Sequence, residues 1–245
     1  MSRMRGILVL VVLGSVVVWA AAGELQWPAR LMTTLLLVPV PAALVVQARL
    51  LGDPAALPRL PVYASSAASQ VLLALATVVT AGAGGFRPFA LGLAVPGGWC
   101  IQAAWAAGII LLAVGVNWAS PWLGIRESAL LFHLLPRTRR ERLGFLALSL
   151  VAGFCEELVF RGFLITALAA ASGSMVLALV VSAVAFGVVH AYQEPSGVAR
   201  ATLLGLVLAA PFVITGSLAA PMLAHAAIDV IGGFWLGPRL LRSAR

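Results

Sequence analysis

Residues 143–170 read LGFLALSLVAGFCEELVFRGFLITALAA. The run is long enough to cross a bilayer, which takes about 20 apolar residues in a helix. Yet it carries two carboxylates and a guanidinium, Glu156, Glu157 and Arg161. Comparable apolar runs recur along the chain, at 7–22, 29–51, 62–83, 99–119, 174–192, 198–215 and 218–237. They are apolar on all sides, whereas strands of a membrane barrel alternate apolar and polar residues. The fold class predicted is all-α, a polytopic membrane helix bundle of about eight transmembrane helices in one membrane domain, 1–245. Turn residues separate the spans: Gly23, Asp53-Pro54, Gly84-Gly85, Gly173 and Gly216.

Composition agrees. The 245 residues are 62% hydrophobic and 10% charged, beyond what a soluble domain carries. The net charge of +8 comes entirely from arginine, with no lysine. This does not suggest a nucleic-acid partner, because the arginines cluster in short loops, as topology control requires. An arginine-only, Ala/Val/Leu-rich chain also hints at a GC-rich bacterial genome. With the N-terminus inside, thirteen arginines fall on the cytoplasmic side and two, Arg30 and Arg87, on the other. That bias predicts cytoplasmic N- and C-termini and a multi-pass protein of a bacterial inner membrane.

Residues 1–120 hold the first four helices, 121–142 a basic segment, and 143–237 the helices richest in polar groups. Met1–Ala22 has a basic start, an apolar core and a small-residue end. It fits a retained signal-anchor or a cleavable signal peptide, and the retained helix is favoured. Residues 120–142 mix Trp122, Leu130, Leu131, Phe132 and Leu134 with arginines. They fit an interfacial amphipathic segment or a basic loop, with His133 at the surface. Cys100 and Cys155 lie in apolar segments and read as buried thiols.

Of eight carboxylates, Glu156, Glu157 and Asp229 lie within predicted spans, as do His190 and His225. Left facing lipid, Glu156, Glu157, Arg161 and Asp229 would together cost on the order of 10 kcal/mol. They are therefore expected to face the bundle interior. Glu157 and Arg161 are four apart and can pair, as can His225 and Asp229. Glu156 is sixteen residues before the turn at Ser172 and His190 eighteen after it, so the two reach similar depth. His225 is only nine residues past Gly216, about 14 Å, and needs tilt or a recessed turn to reach that level. These residues predict a functional polar site but leave its class open: protease, proton-coupled carrier or metal carrier.

EELVFR (156–161) fits an EExxxR motif, FGVVH (186–190) fits FxxxH, and HAAID (225–229) fits HxxxN or HxxxD, after TGSLAAPMLA at 215–224. In that order, on successive helices, they resemble the CAAX protease and bacteriocin-processing family of intramembrane endopeptidases, relatives of the Ras-converting endopeptidase. The resemblance covers about residues 140–237.

It implies that Glu156 and His190 hold and activate a water, and that His225 and Asp229 stabilise the oxyanion. Phe186, Glu157 and Arg161 would support them. A carboxylate in a water-poor cavity suits a general base. Asp229 stands where Asn is commoner, and an ionised Asp cannot donate a hydrogen bond; it is expected instead to orient His225. The resemblance implies a mechanism with no cofactor, although two histidines and a glutamate could also hold zinc. Expected partners are the lipid bilayer and a membrane-anchored protein or hydrophobic peptide substrate. The rival expectation is a non-catalytic membrane protein, such as a bacteriocin immunity factor, or a proton-coupled carrier.

Overall fold

A computed structural model describes residues 2–87, 90–119, 128–237 and 239. Trp122, Arg126, Glu127, Arg242 and Arg245, which the sequence assigns to basic segments, lie outside the described residues. The described helices are α1 (Ser2–Ala21), α2 (Trp27–Leu37), α3 (Pro39–Leu50), α4 (Arg59–Ala83), α5 (Gly98–Ala119), α6 (Ala129–His133), α7 (Arg139–Glu157), α8 (Thr166–Ser172), α9 (Met175–Val189), α10 (Glu194–Thr215) and α11 (Ala219–Ile231). Among the described residues there is no strand.

Among the described residues, seven helical stretches are long and apolar enough to cross a membrane, and each corresponds to a predicted span. The remaining predicted span, 174–192, is realised by the shorter α9, 15 residues long. At 1.5 Å per residue this is about 22 Å, short of a hydrocarbon core of about 30 Å. The second span is broken between α2 and α3, where Val38 leaves the helical region (φ −127°, ψ −69°) and Pro39 and Pro41 open the next helix. Proline fits a first helical turn because its missing N–H has no partner to lose there.

The surface is inside out relative to a soluble protein. Leu10, Leu72, Val79, Leu111, Val176, Leu203 and Ile214 are all exposed, as suits helices bathed in lipid tails. Beneath them the core gathers Phe160, Phe163, Leu164, Ile165 and Phe186 with Leu36, Leu91 and Leu218. Helix α7 is central: it packs on α4 and on α11, while α9 packs on α10 and α11 also meets α5. Gly153 permits the α7–α11 approach, since a Cβ there would sit 2.7 Å from the backbone nitrogen of Ala226. Cys155 is buried as expected; Cys100 is not, and faces outward from α5.

The basic end of α7 is built more firmly than the sequence suggests. Thr138 and Glu141 form a capping box, in which the Glu141 carboxylate accepts from the backbone N–H groups of Arg137 and Thr138, both at 2.8 Å. Arg59 reaches Glu141 at 3.4 Å and donates to the His133 carbonyl at 2.6 Å. His133 is not a free surface histidine: its Nε2 donates to the Leu57 carbonyl at 2.9 Å, and the Tyr63 hydroxyl donates to the Leu134 carbonyl. Residues 128–135 are thereby fastened to the start of α4. Arg137, Arg139, Arg140 and Arg142 remain exposed.

Two irregular features set the site. Helix α7 passes at Glu157 into a π-helical segment, Leu158–Ile165, buried throughout, before α8 resumes the α form. Single widened turns of this kind favour functional sites. Ser182 of α9 donates to the Phe160 carbonyl within it at 2.7 Å. Second, residues 90–92, between α4 and α5, enter the bundle. The Gly92 carbonyl accepts from the Leu218 N–H at 2.8 Å, and the Thr166 hydroxyl, which donates to the Gly162 carbonyl at 2.6 Å, lies 3.3 Å from the Ala90 carbonyl. Non-helical backbone at membrane depth survives only when protein satisfies its polar groups. Gly92 has φ +76° and lies against Phe212 and Leu218, a place open to glycine alone.

This inserted segment answers the depth problem of His225. A Cβ on Gly162 would lie 2.8 Å from the Leu91 carbonyl and 3.0 Å from Leu218. The turn between α10 and α11 is thus recessed to the level of Gly162, well inside the α8–α9 turn at Gly173. Seven residues from Leu218 then carry His225 to the level of Glu157.

Candidate active site

Five elements bring polar side chains to one point. Glu156 and Glu157 end α7, Arg161 follows on the π-helical segment, His190 closes α9, His225 and Asp229 lie on α11, and Gln70 projects from α4. His190 is not inside a long span: it is the residue after α9, with φ −93° and ψ 19°. A short 3₁₀ turn, Ala191–Gln193, and the positive-φ residue Glu194 (φ +65°) lead into α10. The brevity of α9 therefore places the imidazole inside the bundle, level with Glu156.

One layer of the site is a buried ionic chain. Arg161 Nη1 lies 3.0 Å from Glu157 Oε1, with side-chain exposures of 2% and 0%. The same carboxylate oxygen accepts from His225 Nδ1 at 2.7 Å. Arg161 also reaches the Gly205 carbonyl at 3.4 Å and stacks over the Phe186 ring, 4.1 Å to the centroid. Such a pair holds only while both charges are present, since removing either leaves the other buried and uncompensated.

The other layer centres on Glu156 and the two imidazoles. His190 Nδ1 lies 2.7 Å from the Phe186 carbonyl. A carbonyl only accepts, so Nδ1 carries the proton. In the neutral ring Nε2 is then an acceptor, and it points at Glu156 Oε2 from 3.9 Å. His225 Nε2 lies 3.9 Å from that same oxygen. Glu156 Oε2 is buried with no hydrogen-bond partner among the described residues, while Oε1 accepts from the Gln70 amide at 2.7 Å. The Phe186 ring packs between both imidazoles, its centroid 4.7 Å from that of His190 and 5.9 Å from that of His225.

Asp229 sits at the rim, with its side chain 37% exposed and Oδ2 3.9 Å from His225 Nε2. That is too far for a hydrogen bond, and it approaches the nitrogen that faces Glu156. The orienting role expected of Asp229 therefore falls to Glu157, which holds the opposite nitrogen. Glu156, Glu157, Arg161, Phe186, His190, His225 and Asp229 are thus all brought together. Gln70 escaped sequence reasoning because a neutral amide in a span stands out far less than a charge. Among the described residues, no group of three His, Cys, Asp or Glu side chains is placed to hold a metal ion.

Residues 138–231 match the family model described as type II CAAX prenyl endopeptidase Rce1-like. Over that stretch, less than half of the chain, it is similar to the CAAX prenyl endopeptidases. Its apolar helices make it a multi-pass membrane protein. No curated protein and no solved structure is matched by the chain. Every polar side chain of the site named above lies in the matched stretch except Gln70, which comes from α4.

Proposed function

We propose that the chain is an intramembrane endopeptidase in which Glu156 and His190 activate a water for attack on a peptide carbonyl. The observation that carries this reading is the 3.9 Å spacing between Glu156 Oε2 and His190 Nε2, two acceptors facing one another. One water bridges such a gap, donating a proton to each. Its lone pairs then point away from both acceptors, toward an incoming carbonyl carbon. Glu156 takes the proton as the C–O bond forms and returns it to the leaving amine as the C–N bond breaks.

The tetrahedral intermediate carries an oxyanion, which needs a donor already in place. His225 is suited to this. Its Nδ1–H is committed to Glu157, so a doubly protonated ring donates from Nε2 alone, on the side facing Glu156. Glu157 is the counter-ion of that ring, while Asp229 stands 3.9 Å off at the rim. In this reading Asp229 is no oxyanion donor while ionised. The mechanism proposed is metal-independent, because a zinc ion would take the Nε2 positions that activate the water and receive the oxyanion.

The expected substrates are membrane-anchored proteins or hydrophobic peptides, cleaved beside the end of α9. The name of the matched family makes a prenylated CAAX tail the first probe to try; the arginine-only composition points instead to a bacterial inner membrane, where hydrophobic peptide precursors or sorting tails are the natural candidates. The test uses the full chain in lipid nanodiscs. Fluorophore–quencher peptides ending in a prenylated tail, the same tail without prenyl, and hydrophobic segments are each incubated with wild type and with Glu156→Gln. Cleavage by wild type and none by the variant is the expected result. If no probe is cut, and membrane peptides by mass spectrometry are identical with either form, the endopeptidase reading is wrong.

A further inference from the structure

Gln70 lies on α4, outside the stretch matched to the protease family, and its amide nitrogen is 2.7 Å from Glu156 Oε1. A carboxylate can only accept, so the amide must present N–H to it. Turned this way, Gln70 leaves its own oxygen buried with no partner among the described residues. A buried unpaired amide oxygen costs stability that an aliphatic residue would not. Packing therefore does not account for an amide here; its contact with Glu156 does.

Two oxygens of one carboxylate are thereby made unlike. Oε1 is covered by a donor. Oε2 is free of hydrogen bonds and faces both imidazoles at 3.9 Å. We infer that Gln70 is a positioning residue that keeps the Glu156 proton on Oε2, so that one oxygen both takes the proton from water and hands it to the leaving nitrogen. This inference rests on the endopeptidase reading. A proton cannot settle on Oε1 without displacing the amide N–H already aimed there. The donor also fixes the carboxylate plane, and with it the direction from Oε2 to His190. The step balances within the site: a water O–H breaks and Oε2–H forms, the carbonyl gains C–O, then C–N breaks as Oε2–H passes to nitrogen.

The titratable groups around Glu156 are His190 from the end of α9, Tyr192 from the 3₁₀ turn after it, His225 and Asp229 from α11, Cys155 and Glu157 from its own helix, and Arg161 from the π-helical segment. Against that set, Gln70→Glu is the telling variant. It is nearly isosteric, but it sets a second carboxyl on Oε1. Only with residue 70 protonated is there a donor, so competent enzyme exists at acid pH and is lost as pH rises. The pH optimum of the variant should move to the acid side of wild type. Gln70→Leu should lower kcat roughly tenfold to a hundredfold with KM within about twofold, the signature of lost positioning and not of lost binding. An unchanged kcat in Gln70→Leu, or a Gln70→Glu profile that overlays wild type, overturns the inference.

Should wild type cleave none of the probes, the endopeptidase reading falls first, and the inference is judged by infrared difference titration. The carboxyl C=O band of Glu156, assigned by its loss in Glu156→Gln, should change frequency in Gln70→Leu. An unmoved band overturns it.

Discussion

His225 Nδ1 lies 2.7 Å from Glu157 Oε1, joining α11 to the end of α7 across 68 residues of sequence. That contact, and not the intrahelical pairing with Asp229, fixes which imidazole nitrogen faces Glu156. It also ties Arg161, through Glu157, to the ring that would receive an oxyanion.

Replacing Glu157 with Ala leaves Arg161 charged and buried without a counter-ion. The expected loss of stability is about 3–5 kcal/mol, the usual cost of breaking a buried pair from one side. Thermal unfolding in detergent measures it. A variant as stable as wild type would mean that the guanidinium finds water or another partner.

Asp229→Asn replaces an acceptor-only group by one that can donate. If the negative charge at the rim opposes an oxyanion, kcat should rise, by roughly tenfold if the amide acts as a new donor. A fall in kcat would instead show that Asp229 matters as a counter-ion for His225. Steady-state kinetics on the best-cleaved peptide separates the two.

Gly153→Val should disturb the site from a distance. A Cβ at 153 meets the Ala226 backbone at 2.7–2.9 Å, so α11 must move away from α7. Overpacking of this kind costs about 1–3 kcal/mol. Activity should fall further than the stability loss explains, because His225 is next to Ala226. Parallel measurement of unfolding and of cleavage by well-folded protein checks this.

Chelation should leave cleavage unchanged. Dialysis against EDTA, then assay with 1,10-phenanthroline present, is expected to retain full activity. Loss on dialysis, restored by added zinc alone, would replace the water-activation scheme with a metal-bound one.

Most of the bundle could be read from the sequence because lipid imposes a simple rule. A segment that crosses hydrocarbon must satisfy its own backbone, so apolar length alone marks a helix. The same rule singles out the site: Glu156, Glu157, Arg161 and Asp229 are too costly to face lipid, and only an interior meeting place accounts for them. Helical period likewise gave the Glu157–Arg161 pair.

What the period could not supply is any relation between helices. The recess of the α10–α11 turn depends on the inserted segment near Gly92, whose carbonyl is satisfied by Leu218, a contact between residues 126 apart in number. The π-helical stretch after Glu157 leaves no mark in hydropathy, because widening a turn changes hydrogen bonding and not composition. The choice of Glu157 over Asp229 as the partner of His225, and the approach of Gln70 to Glu156, arise only when α4, α7 and α11 pack. Sequence thus determined which groups had to leave the lipid, by the cost of solvation; tertiary packing decided which of them met, because a hydrogen bond needs atoms within about 3 Å and no one-dimensional pattern fixes that.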